Sequence, residues 1–160
     1  MATRSTIALE FADGTIGQVY CHWDGYLAHN GKMLMEYYSN PFVLRDLIDL
    51  GSLSSLRPQI GTKHPFSMFE ANMTQDEYAN RYRDMCTFYE RDRGERSADA
   101  TYFKDYEHFL VDGQEEEYDY ILRNVNGKAT WFVSDHGGDF RFLTLALVED
   151  ILENVEVLPL

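Results

Sequence analysis

At 160 residues, 44% of them hydrophobic, the chain suits a single globular domain that buries about two-thirds of its unfolded surface, and it is too apolar to be disordered. A formal charge of −13 repels polyanions and argues against direct binding to nucleic acid or to an anionic membrane. With no apolar run of membrane-spanning length, no apolar signal core near Met1 and two unpaired cysteines, Cys21 and Cys86, the sequence predicts a soluble protein of a reducing cytoplasm.

In chain order, Ile7, Leu9 and Phe11 alternate with polar or small residues and run into Asp13-Gly14, which predicts a strand, a tight turn and a return strand from Thr15 to Cys21. Residues 32–38 predict a helix with Met33, Leu34, Tyr37 and Tyr38 inward. Asn40 as cap, Pro41 in the first turn and Gly51 past the end bracket a second, with Val43, Leu44, Leu47 and Ile48 on its inner stripe. Pro58, Gly61 and Pro65 punctuate residues 51–72, which read as a long loop. Thr74-x-x-Glu77 is a capping box opening a polar, tyrosine-rich helix to about Asp84. The firmest hairpin runs from Tyr118 to Val133 around Asn126-Gly127, with Trp131 and Val133 sharing a face. Leu143, Leu147, Val148, Ile151, Leu152 and Val155 predict a closing amphipathic helix with Glu149, Asp150 and Glu153 toward water. These elements give an α+β class: an antiparallel sheet of about four strands, made of two hairpins and covered on one face by helices, in one domain over residues 1–160.

Three segments concentrate side-chain chemistry. The run from Tyr20 to Tyr26, at the end of the second strand, holds Tyr20, His22, Trp23, Asp24 and Tyr26. A strand end seldom needs so many costly side chains to turn a corner. His22 and Asp24, two apart, suit an acid–base or metal pair, although a histidine bonded to a turn carboxylate explains the same residues. Lys63 and His64, between Gly61 and Pro65, can hold an anion on a loop, or simply be solvated there. Arg91, Arg93 and Arg96, interleaved with Glu90, Asp92 and Glu95, can clamp a phosphate or carboxylate or form a surface salt-bridge network. The Ser134–Asp139 stretch reads as a glycine-rich turn. No complete catalytic motif and no nucleotide-cofactor fingerprint is present, so no cofactor is expected.

Charge is uneven: residues 1–98 carry 13 acids and 10 bases, residues 99–160 carry 14 acids and 4 bases. That acidic half suits either a solvated face or attraction to a basic partner, including mimicry of nucleic acid.

Arg4 to Ala8 (R-S-T-I-A), the D-G turn, Y-C-H-W-D-G-Y, Leu47 to Leu56, Ile60 to His64 (I-G-T-K-H), R-D-R-G-E and W-F-V-S together resemble a family of small proteins carried by tailed phages and prophages. The resemblance spans nearly the whole chain. It implies an accessory product at work in the cytoplasm of an infected bacterium, in host takeover or against host defences. The expected function is non-catalytic binding: a pocket of Tyr20, His22, Trp23, Asp24, Tyr26, Lys63, His64, Arg91 and Arg93 sequesters a small phosphorylated or nucleotide ligand. Two alternatives stay open, an acidic inhibitor of a host protein, and a small metal-dependent hydrolase using His22, Asp24, His64, Asp135 and His136. Homo-oligomerisation is also left open.

Overall fold

The computed structural model describes residues 2–149. Strands β1 (Ser5–Glu10) and β2 (Ile16–Cys21) form the first hairpin, followed by a π-helical turn over Leu27–Gly31 and helices α1 (Lys32–Tyr37) and α2 (Pro41–Asp49). Next come β3 (Leu53–Ser55), α3 (Met68–Ala71), α4 (Gln75–Tyr82), β4 (Thr87–Phe88) and α5 (Tyr89–Arg93). The chain continues through β5 (Thr101–Phe103), α6 (Tyr106–Asp112), the long hairpin β6 (Tyr118–Val125) and β7 (Lys128–Asp135), and β8 (Arg141–Phe142). Residues 145–149 are helical; Asp150, Ile151, Leu152, Glu153 and Val155 of the predicted last helix lie outside the described residues.

The class is α+β, but the sheet is not the expected four-stranded antiparallel one. Among the described residues it is a single mixed sheet of eight strands in the order β4-β3-β2-β1-β6-β7-β8, with β5 pairing on β2. Both predicted hairpins are antiparallel; they join edge to edge through a parallel ladder, Ser5 opposite Tyr118 to Leu9 opposite Leu122. A second parallel contact sets Cys21 beside Leu53. Pairing between distant strands leaves no local periodicity, so it was not legible in either hairpin.

Helices do not cover one face only. Ile7, Leu9, Val19, Tyr120, Leu122, Trp131 and Val133 face α1 and α2, where Leu34, Tyr38, Leu44, Leu47 and Ile48 close the main core. Ala8, Ile16 and Ile121 face the other way, toward Phe103 and Phe109 of β5 and α6. This second cover is why β1 is buried along nearly its whole length. Tyr37 and Val43, expected inside, are exposed.

The Asn40 carboxamide accepts the Phe42 N–H at 2.9 Å and caps α2. Asn40→Ala should therefore cost about 1 kcal/mol in urea unfolding, and Asn40→Asp should restore most of it. No helix among the described residues is long and apolar enough to cross a membrane.

Residues 51–72 are not one long loop. β3 extends the sheet beside β2, and Ser67 caps α3 through the Glu70 N–H. The arginine-rich segment is helical, as α5, as far as Arg93; Gly94 to Arg96 stay exposed beyond it, where Glu95 pairs with Arg93.

Candidate functional site

The end of β2 builds one wall of a cleft. Beyond Cys21 the chain keeps step with β3: the His22 and Trp23 N–H groups donate to the Leu53 and Ser54 carbonyls at 3.1 and 3.0 Å. Asp24 then takes a left-handed turn at φ 58°, which its short polar side chain tolerates. Gly25 passes so close to the first residues that a Cβ would sit 2.7 Å from Ser5 Cβ and 2.9 Å from the Thr3 carbonyl oxygen. This corner breaks strand alternation and leaves Trp23 44% exposed, with the His22 ring edge-on to it at 4.7 Å. His22 Nδ1 lies 2.7 Å from the Tyr20 hydroxyl.

The loop after β3 and helix α4 build the opposite wall. Tyr78 and Tyr82 are four apart and share a helix face, their rings 5.1 Å apart. The Tyr78 hydroxyl donates to the Pro65 and Phe66 carbonyls at 2.6 and 3.0 Å, tying helix to loop, and burial pushes this phenol up. Between the walls is a cleft of about 450 Å³. Its rings are Trp23, Phe66, Tyr78 and Tyr82, its aliphatic hydroxyls come from Ser54, Ser55, Ser67 and Thr87, and its cations are Arg57 and Arg83.

The predicted site residues divide around this cleft. Trp23 lines it directly. His22 and Tyr20 stand behind Trp23 as a bonded pair. His64 is buried behind Tyr82, its ring stacked on the tyrosine at 5.0 Å; Nδ1 meets the Thr62 carbonyl at 2.9 Å and Nε2 the Thr87 hydroxyl at 3.2 Å. Both ring nitrogens are thus occupied, and His64 supports the wall rather than meeting a ligand.

Arg93 lies 4.4 Å over the Phe66 ring and 5.1 Å over Tyr89, and its guanidinium pairs with Glu95 at 2.6 Å. Arg91 faces inward. It donates to the Ile60, Gly61 and Cys86 carbonyls at 2.9–3.2 Å and to both oxygens of the buried Asp92. An anion clamp needs free donors, and this guanidinium spends its donors on the fold. Lys63 is exposed, Tyr26 leans on His29, and neither they nor Asp24 line the cleft.

Sequence reasoning did not select Arg57, Arg83, Phe66, Tyr78 or Tyr82. The two tyrosines carried a signal, since their spacing within a capped helix puts both rings on one face. Arg57 carried none, because its place depends on β3 joining the sheet.

Electrostatics favour the same face for an anion. Residues 57–96 hold 7 bases and 7 acids, so the entire net −13 lies outside the segment that supplies most of the cleft. A larger hollow of about 640 Å³ lies at the hairpin-turn end of the sheet. Its charged groups are already paired, Arg123 to Glu10 at 3.2 Å, with the guanidinium 3.5 Å over Tyr106, and the rest of its lining is mainly apolar, with Leu9, Phe11 and Leu122.

Among the described residues, no three His, Cys, Asp or Glu side chains gather in a way that could hold a metal ion. Of the set named for metal-dependent hydrolysis, His64 sits behind Tyr82 while His136 pairs with Asp135 at the end of β7. Comparison with protein-family models, curated proteins and solved structures gave no match for this chain.

Proposed function

We propose that the chain is a non-catalytic binding module that sequesters a small phosphorylated aromatic ligand, of the nucleotide class, in the Trp23–Tyr82 cleft. The observation that carries this reading is the meeting of four rings and two arginines in one hollow on the least acidic part of the chain. A flat base stacks on such rings irrespective of its identity, and a guanidinium meets a phosphate in bidentate fashion. The floor hydroxyls of Ser54, Ser55 and Thr87 give a polar base edge something to bond. The phage resemblance supplies a context in which removing a nucleotide signal would serve an accessory protein inside an infected host.

The test is titration of the purified protein with linear and cyclic nucleotides, read by calorimetry and by Trp23 fluorescence. The expected result is saturable heat and quenching for some member of the panel, with free ribose phosphate far weaker. No heat and no quenching across the panel would remove the reading.

A second reading, an acidic inhibitor of a basic host protein, draws on the 20 acids against 7 bases outside residues 57–96. It separates from the first by salt and by site: partner binding would weaken steeply with ionic strength and fail on charge reversal at Glu115–Glu117, changes to which nucleotide binding is insensitive.

A further inference from the structure

The face of the sheet opposite α1 and α2 carries a buried polar row. Thr6, Asp119 and Ser134 lie side by side on β1, β6 and β7, and all three are buried. The Thr6 hydroxyl donates to Asp119 Oδ1 at 2.6 Å, and the Glu116 N–H donates to the same oxygen at 3.3 Å. Asp119 Oδ2 is buried with no hydrogen-bond partner. A carboxylate that satisfies one oxygen and strands the other is costly inside a protein.

What covers this row is the segment between α6 and β6. Gln18, itself buried, reaches across from β2 to bond Thr6 and the Gly113 carbonyl at 2.9 and 2.7 Å. Gln114 ties the other side, donating to the Ser134 hydroxyl and the Gly138 carbonyl at 2.7 and 2.6 Å. The cover then presents three consecutive acids, Glu115, Glu116 and Glu117.

The geometry points to a proton-dependent clasp: residues 113–117 close over Asp119 while its carboxyl is protonated and loosen when it ionises. The strands beneath are held by their ladders, so water can reach Oδ2 most easily by displacement of this cover. The charged surroundings pull both ways: Glu116 raises the Asp119 carboxyl, while Arg4 and His22 oppose the acids at Glu116. From the cover, Glu116 opposes a second negative charge and is itself half-buried, with Glu115 and Glu117 beside it and Arg4 as the nearby cation. From β1, β2 and β7 come Thr6, Gln18 and Ser134, none of which titrates in this range.

Burial pushes the Asp119 carboxyl up to about 6, against the pull of its hydrogen bonds. Because the folded value lies above the unfolded one, the stability from the protonated form is complete below about pH 4 and is lost as pH rises through about 6.

The test is nuclear magnetic resonance of the whole chain. The Asp119 carboxyl carbon and the Glu116 amide are followed from pH 4 to 8, with amide exchange rates corrected for their intrinsic pH dependence. The expected result is a shared midpoint near 6 and a loss of Glu116 protection of about tenfold or more on ionisation. In Asp119→Asn both changes vanish and the cover stays protected. Thr6→Val, which deletes one donor to the carboxylate, raises the midpoint, and it keeps the proposal open to refutation if Asp119→Asn fails to fold. A Glu116 amide whose protection does not change with pH, or a carboxyl that titrates in the ordinary aspartate range, would overturn the clasp.

Discussion

Replacing Arg91 by alanine should abolish cooperative folding or lower the unfolding free energy by about 3–5 kcal/mol in urea. Three carbonyls, of Ile60, Gly61 and Cys86, depend on this one guanidinium, and Asp92 is a buried anion whose principal cation is Arg91. Asp92 also receives the His64 and Phe88 N–H groups at 3.1 and 2.8 Å, so the pair joins the loop after β3, strand β4 and helix α5 at one point. The truncation leaves an unpaired buried charge and three acceptors that lose their donor, the combination with the largest penalties. Lysine cannot repair it, because one ammonium cannot span three carbonyls and both carboxylate oxygens. Asp92→Asn should be milder than Arg91→Ala, since the amide keeps an acceptor and the arginine keeps its carbonyls. If Arg91→Ala unfolds with unchanged midpoint and slope, the account of this joint is wrong.

The arginine-rich segment shows how a composition signal divides once a fold exists. In sequence, Arg91 and Arg93 are interchangeable, each next to acids and two residues apart. Helix α5 separates them by about 200° of rotation, which sends Arg91 into the protein and Arg93 out over Phe66. The helix itself was hidden because Glu90-Arg91-Asp92-Arg93 has no apolar stripe. Its stability comes from the capping glycine at 94, in left-handed conformation with φ 70°, and from the Arg91–Asp92 anchor.

What was legible was what local pattern encodes. The Asp13-Gly14 and Asn126-Gly127 turns, the Asn40 and Thr74 caps and the Leu44, Leu47 and Ile48 part of the α2 stripe stand where the sequence put them. What was not legible depended on contacts distant in sequence: the parallel ladder between the hairpins, the entry of β3 into the sheet at a single residue pair, and the cover of α6. The last did leave a trace. Asp105 caps α6 through the His108 N–H at 2.9 Å, and Phe109 points into the second core. The candidate site divides the same way. Trp23 was conspicuous as a costly residue at a strand end, whereas Arg57 shares the cleft only because β3 pairs beside β2. Sequence thus pointed to one wall of the cleft, while the arginines it selected, Arg91 and Arg93, do not line it and Arg57 and Arg83 do.

That exchange of arginines decides how the binding reading is best challenged. Trp23→Ala should weaken the preferred nucleotide by about ten- to a hundredfold, the value of about 1–3 kcal/mol for one base stacked on an aromatic ring. Trp23 is substantially exposed and its ring makes its main contact with His22, so the same change should leave the unfolding midpoint nearly unaltered. Arg57→Ala should add a loss of similar size and flatten the salt dependence of binding, because it removes a charge-assisted contact to the phosphate and not a ring. Its own hydrogen bond to the Leu56 carbonyl at 2.8 Å is local, so the fold does not rest on it as it rests on Arg91. Lys63→Ala, on the surface outside the cleft, should change neither affinity nor salt response. The informative pattern is therefore a split between two measured quantities: Trp23 governs affinity for the base at any ionic strength, and Arg57 governs the response to salt. Should Lys63→Ala weaken binding as much as Trp23→Ala, the ligand sits on the outer loop. The aromatic cleft would then be a feature of packing alone.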